Sequence, residues 1–389
     1  MTGGGHVARK NDARGRARWY PVLEAPRDPE SGRRRQKWLG GHETRKAATA
    51  ALREALVTVD RGLYVEPTKE TTGQYLEEWL EAIRSTVRPT THASYRHLIV
   101  GQVVPRLGSV PLRQLGPGHL NRVYAQLLTE GRRTKAGGGL SPRTVRYTHV
   151  VVHRALKDAV RWGKLVRNPA ELADPPREVR VDRRVWGAEE VRAFLVEVEA
   201  AGDRLAALYH LAATTGMRRG ELLGLAWSAV DLDVGSLHVV RTLVDVAYSP
   251  TFSEPKTARS RRSIALDPAT VGRLRRHRTA QAEERLAWGS GYRSDGLVFS
   301  REDGSPINPQ SVSLAFAKHV RAADLPRVRF HDLRHAYATA ALTSGVHLKV
   351  VSDRLGHSSM SVTGDIYSHV LPAVEQEAAN AVAALILGP

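Results

Sequence analysis

The chain has 389 residues with 42 % apolar content, enough for two or three packed domains. Its formal charge of +18 and sequence pI near 10.5 point to a polyanionic partner, most simply nucleic acid. It has no cysteine, which excludes disulfides, thiolate catalysis and zinc–thiolate sites.

Residues 1–14 are glycine-rich and basic, lack the apolar core of a signal peptide, and read as disordered. No stretch approaches the roughly 18 apolar residues of a membrane span, so a cytoplasmic protein is expected. Residues 19–23 and 33–39 read as strands, the second carrying Arg33, Arg34, Arg35 and Lys37. Residues 44–59 read as a helix with Thr44 as N-cap. Four further helices are expected over 72–85, 90–100, 118–129 and 141–162. The last opens on Ser141-Pro142, a cap followed by proline at the first helical position, and carries Arg143, Arg146, Arg154, Lys157 and Arg161. Asn168-Pro169 and Pro175-Pro176 then mark a linker. Beyond it, helices are expected over 188–198, 205–214, 221–227 and 308–323. Strands are expected over 236–246, 261–266 and 297–300. Residues 378–387 are apolar at helical spacing and could dock in cis or into a neighbouring subunit.

The densest chemistry lies in residues 330–370. His331-Asp332-Leu333-Arg334-His335 places His331 and Arg334 three apart on one helix face, an imidazole beside a guanidinium. Leu355-Gly356-His357 and Ile366-Tyr367-Ser368-His369-Val370 follow. Far upstream stands Thr215-Gly216-Met217-Arg218-Arg219-Gly220-Glu221-Leu222, and between two strand-like runs Pro255-Lys256-Thr257. This set suits attack on a phosphodiester. Two guanidinium forks can hold the non-bridging oxygens, a phenol can attack, and a lysine can return a proton where arginine cannot. After Arg180 the lysines are Lys256, Lys318 and Lys349, so a lysine at position 256 stands out in an arginine-biased region. His331 and His335 at i, i+4 raise a metal reading, but the glutamate of H-E-x-x-H is absent and Arg334 lies between them. No phosphate-binding G-x-x-x-x-G-K-[ST] loop occurs, and Asp231 and Asp233 read as turn residues. No metal and no cofactor are expected.

The motifs T-G-x-R-x-x-E-L, a lysine in a β-hairpin, H-x-L-R-H, L-G-H and Y-S-H-V, in that order, resemble the tyrosine recombinase (phage-type integrase) family. The resemblance implies a multidomain, mainly α fold with small β-sheets. Its parts would be an α+β arm-type DNA-binding domain at 1–66, an all-α core-binding domain at 68–170, a linker at 171–184 and an α+β catalytic domain at 185–389. It implies Tyr367 as nucleophile, forming a 3′-phosphotyrosine link, and Arg218 and Arg334 as phosphate-binding groups; the T-G-x-R pattern selects Arg218 over Arg219. Lys256 would be the acid for the leaving 5′ oxygen, and His331 and His357 would handle protons or phosphate. Glu221 would orient Arg218, with His335 a supporting residue and Tyr337 part of the core. The implied partners are double-stranded DNA at two attachment sites, three further copies of the chain in a homotetramer passing through a Holliday junction, and accessory DNA-bending or directionality factors. A phage or other mobile element would be the origin. Two alternatives stay open on the residues alone: a type IB topoisomerase-like strand transferase, and a non-catalytic DNA-binding regulator on the same scaffold.

Overall fold

The computed structural model describes residues 4–12, 15–25, 35–60, 69–132, 137–178, 184–246, 249–253, 261–356, 380 and 382–387. Lys256, His357 and Tyr367 lie outside the described residues, as do parts of the expected linker and of residues 378–387. The chain divides into two compact units, Met1–Arg180 and Val181–Pro389.

In the first unit, β1 (Gly5–Asn11), β2 (Ala17–Ala25) and β3 (Arg35–Trp38) form an antiparallel sheet in that order, with β1 in register from Gly5 opposite Leu23 to Asn11 opposite Ala17. The expected disorder of residues 1–14 is therefore corrected for Gly5–Asn11. β1 is an edge strand whose side chains stay largely solvated, so no apolar alternation announces it. Helix α1 (Arg45–Asp60) buries Ala48 and Leu52, and the Thr44 hydroxyl accepts from the Ala47 N–H at 3.2 Å, the expected cap. Arg9 and Arg45 both sit 5.8 Å from the Trp19 ring, and Lys10 lies 5.6 Å from that of Trp38.

The same unit holds a separate all-helical core. Its helices are α2 (Thr72–Ala82), α3 (Pro89–Leu98), α4 (Val104–Leu107), α5 (Pro117–Glu130) and α6 (Pro142–Arg161). Trp79 is fully buried, stacks on Tyr95 and donates its indole N–H to Asp158 at 2.8 Å. The expected helix over 90–100 runs further. A π-helical turn, Ile99–Val103, carries it into α4, where Pro105 has no N–H to give and the turn before it widens. Ser141 caps α6 as its sequence predicts, accepting from the Thr144 N–H at 3.3 Å.

The second unit is organised around an aromatic core of Trp186, Phe194, Tyr209, Phe316 and Phe330. It is built by α7 (Ala188–Ala200), α8 (Ala206–Thr215), α11 (Pro309–Ala322) and the segment leading into α12 (Asp332–Thr343). A short helix α9 (Arg219–Gly224) precedes β4 (Val230–Asp231), β5 (Ser236–Val239), β6 (Thr242–Val246), β7 (Ser249–Ser253) and β8 (Arg262–Ala265). Strands β4, β5 and β8 make one sheet and β6 pairs with β7 in another. The single strand expected over 236–246 is thus two. Lys256, expected between two strand-like runs, follows β7 and precedes β8 in sequence, outside the described residues. Helix α13 (Leu348–Leu355) packs on α12 through Ala338, Leu342, Val351 and Leu355.

Helix α10 (Pro268–Trp288) has no counterpart in the sequence reading. Its buried face carries Thr270, Leu274, His277 and Gln281, so the helical period is written in polar residues. His277 meets the Val298 carbonyl at 2.7 Å, and Gln281 donates to the Leu297 carbonyl and Ser300 hydroxyl while accepting from Trp227 at 2.7 Å. These side chains hold residues 297–300, which form isolated bridges to Ala226 and Pro306 in place of the expected strand. Among the described residues, no helix is long and apolar enough to cross a membrane.

Candidate active site

The site begins where α8 ends. Gly216 closes that helix at φ +64°, and a Cβ there would lie 2.6 Å from both Leu355 Cδ2 and Tyr337 Cδ1. Only glycine fits this left-handed turn and this close approach of α12 and α13. Met217 is buried and pins the turn. Arg218 then caps α9 in extended conformation, leaving its side chain over the ends of the neighbouring elements.

Glu221, one turn on, is 4 % exposed and takes four hydrogen bonds. Its oxygens accept the Arg218 N–H at 3.0 Å, Arg218 Nη1 at 2.8 Å, and Arg262 Nη1 and Nη2 at 3.2 and 2.9 Å. Burial alone would raise this carboxyl's pKa, but the guanidiniums of Arg262 and Arg218 outweigh it and hold Glu221 below the usual carboxylate range. Glu221 thus bonds both the backbone and the side chain of Arg218.

Arg334, in the first turn of α12, is 4 % exposed. Its Nη1 donates to the Gly216 carbonyl at 2.9 Å and its Nη2 to the Leu355 carbonyl at 2.7 Å. Arg218 Nη2 donates to the next carbonyl, Gly356, at 2.9 Å, and Arg262 Nε to the preceding one, Arg354, at 2.5 Å. Three consecutive carbonyls at the C-terminus of α13 are therefore taken by three different arginines. Helix ends leave such carbonyls without partners inside the helix and carry partial negative charge, so guanidiniums are well matched to them. Gly356 leaves the helix at φ +65°, directing the chain into His357.

His331 occupies the N-cap position of α12 without a side-chain capping bond. Its pKa is pushed down from the ordinary histidine range to about 4. Crowding by protein is the first cause; His335 and the charges of Arg334 and Arg218 act the same way, and Asp332 opposes them. His331 keeps an open face to solvent. Its ring meets that of His335 edge-on at 5.5 Å. Asp332, the remaining polar residue of the motif, is buried and clasps Arg329, accepting its N–H at 2.8 Å and its Nη2 at 2.9 Å.

Of the residues singled out from sequence, the structure brings together Arg218, Glu221, His331, Arg334 and His335. Arg219, the rival to Arg218, turns instead to the Ser313 hydroxyl of α11. Tyr337 is half-buried, between Gly216 and the guanidinium of Arg354, 5.9 Å from its ring. Sequence reasoning missed Arg262. Its signal was present: Arg262 and Ile264 are two apart on β8, hence on one face, and Ile264 is buried.

Residues 185–373 match the phage integrase family, residues 7–59 an arm DNA-binding domain, and residues 71–128 the N-terminal SAM-like domain of phage integrases. The chain is 30 % identical to a XerC-like tyrosine recombinase of Caldanaerobacter subterraneus subsp. tengcongensis over 377 residues, covering 91 % of this chain and 93 % of the relative. It is 31 % identical to an integrase of Streptomyces ambofaciens over 385 residues, 94 % of this chain and 92 % of that one. Among solved structures it is similar to the Tn1549 transposon integrase in complex with transposon right end DNA, with a TM-score of 0.62 at 20 % identity over 75 % of this chain and 94 % of the other. It is also similar to lambda integrase, solved as a tetramer bound to a Holliday junction, with a TM-score of 0.56 at 18 % identity over 92 % and 94 % of the two chains. The chain belongs to the phage integrase family of tyrosine recombinases. It is a site-specific recombinase with an arm-binding, a SAM-like and a catalytic domain, and the topoisomerase-like and regulator alternatives are not favoured.

Proposed function

We propose that the chain integrates a phage or other mobile element by breaking and rejoining duplex DNA at two attachment sites, through a covalent 3′-phosphotyrosine intermediate. The observation that carries this reading is the meeting of Arg218 and Arg334 at the C-terminus of α13, where they hold the adjacent carbonyls of Gly356 and Leu355. Arg218 is 37 % exposed, and its outer edge is open to a phosphate. Two guanidiniums there would neutralise the non-bridging oxygens as charge builds in the transition state.

In the proposed step the Tyr367 oxygen attacks phosphorus and the P–O bond to the 5′ carbon's oxygen breaks. The phenolic proton passes to His331, whose basicity the negative charge of a bound phosphate raises, and Lys256 protonates the departing 5′ oxygen. The ester bond is kept as phosphotyrosine, so a partner strand's 5′ hydroxyl can reverse the step without ATP. His357, launched from the end of α13, would complete the phosphate contacts.

Duplex DNA as partner agrees with the charge of +18 and with the solvated face of α6, where Arg146, Tyr147, Val150 and Lys157 lie open. Arg154 is drawn onto Tyr95, and Arg161 pairs with Asp158, so the two contribute less. Assembly as a homotetramer through a Holliday junction, accessory DNA-bending or directionality factors, and work in the cytoplasm complete the proposal. Incubation with a nicked duplex bearing the element's end tests it. A stable protein–DNA adduct that Tyr367→Phe abolishes is expected, and no adduct with the native chain on its own end sequence would overturn it.

A further inference from the structure

We infer that Arg262 is a positioning residue for strand cleavage, fixing with one guanidinium both the carboxylate bonded to Arg218 and the C-terminal end of α13, whose next carbonyls Arg334 and Arg218 hold. The inference rests on the function proposed above.

Arg262 lies on β8 opposite Val239, and its side chain is 7 % exposed, so it offers little surface to DNA. Its Nη1 and Nη2 both reach Glu221, and its Nε reaches the Arg354 carbonyl. One rigid plane therefore ties three elements together: β8, the first turn of α9, and the C-terminus of α13. Glu221 Oε1, which accepts Arg262 Nη1, also accepts Arg218 Nη1 at 2.8 Å, so one carboxylate links the two guanidiniums. The carbonyl next to that of Arg354 is held by Arg334. A displacement of Arg262 thus reaches both phosphate-binding arginines and the peptide ahead of His357 without touching the substrate.

Lysine cannot reproduce this. An ammonium on a flexible stem can meet Glu221 or the Arg354 carbonyl, whereas the planar fork meets both at fixed angles. With Arg262→Lys the charge balance of the buried carboxylate is kept and the geometry is lost.

The test uses the full chain and single-turnover adduct formation on a nicked duplex, measured at saturating and at limiting DNA. Arg262→Lys should bind the duplex with native affinity while cleavage at saturation falls by roughly a hundredfold, the usual consequence of a misplacement of about 1 Å. Arg262→Ala should cleave more slowly still, and millimolar guanidinium should restore part of the rate by refilling the vacated site. Native cleavage by Arg262→Lys would overturn the inference. So would a loss lying wholly in affinity, or an Arg262→Ala protein that folds and ignores guanidinium. Failure of the native chain to form any adduct would instead overturn the function on which the inference rests.

Discussion

Arg334 and Arg218 hold adjacent peptide carbonyls, those of Leu355 and Gly356, at 2.7 and 2.9 Å. Arg334 is buried within the fold, whereas Arg218 keeps an open edge. The two candidate phosphate ligands therefore differ in what else they do.

Loss of either guanidinium should slow cleavage by about 10²–10³-fold, the range seen when one donor to a developing negative charge is removed. Their effects on stability should diverge. Arg334→Met strands two buried carbonyls, at a cost of about 1–3 kcal/mol each. Arg218→Met leaves Glu221 still held by Arg262 and should cost less. Chemical denaturation beside single-turnover cleavage checks this; equal destabilisation by the two variants would contradict the assignment.

Gly216→Ala should be severe despite its size. Positive φ and a Cβ 2.6 Å from Leu355 and Tyr337 combine at one position. A loss of at least about 1 kcal/mol is expected from the backbone alone. Displacement of Leu355 should move the carbonyl that Arg334 holds and reduce cleavage as well. Gly163→Ala, with φ +71° and nothing near its Cβ, separates the two causes: it should lose stability and keep activity.

The ring of His331 should titrate below the ordinary histidine range in the DNA-free chain. A depressed folded value means that neutral His331 favours the fold above the ordinary histidine range. That contribution then declines as pH falls towards 4, since the unfolded chain takes the proton first. An NMR titration of the imidazole checks this, with Arg218→Met expected to move the midpoint upward. A midpoint at 6.5 or above in the native chain would show that the neighbouring cations do not act on the ring.

Affinity for duplex DNA should fall steeply with salt, because neutralised phosphates release counterions. Replacing Arg146 and Lys157 by glutamine should weaken binding and reduce the salt slope by roughly two, about one for each phosphate contact removed. Fluorescence anisotropy across a salt series measures both, and an unchanged slope would remove α6 from the contact surface.

The legible parts of this chain were those whose function depends on side-chain identity. Thr44 and Ser141 declared their helices because capping needs a hydroxyl, and Arg218, Glu221, His331 and Arg334 stood out as candidates because chemistry on a phosphodiester needs particular groups at particular spacings. What stayed hidden depends on context. α10 buries Thr270, His277 and Gln281, so its inward face carries little apolar signal. β1 gains its order from pairing with β2 rather than from its own residues. Arg262 is masked by the abundance of arginine around it. The anchor points of the site are the carbonyls of Arg354, Leu355 and Gly356, groups that every residue carries and no sequence distinguishes.

Mass spectrometry of the peptide bound to a cleaved strand tests the central claim most directly. After trapping on a nicked duplex and digestion, the nucleotide should be found on the peptide containing Tyr367, through the 3′ phosphate, and it should accumulate about 10²–10³-fold more slowly when Arg218 is replaced by methionine. Attachment at any other side chain, or cleavage that leaves the protein unmodified, would contradict the account.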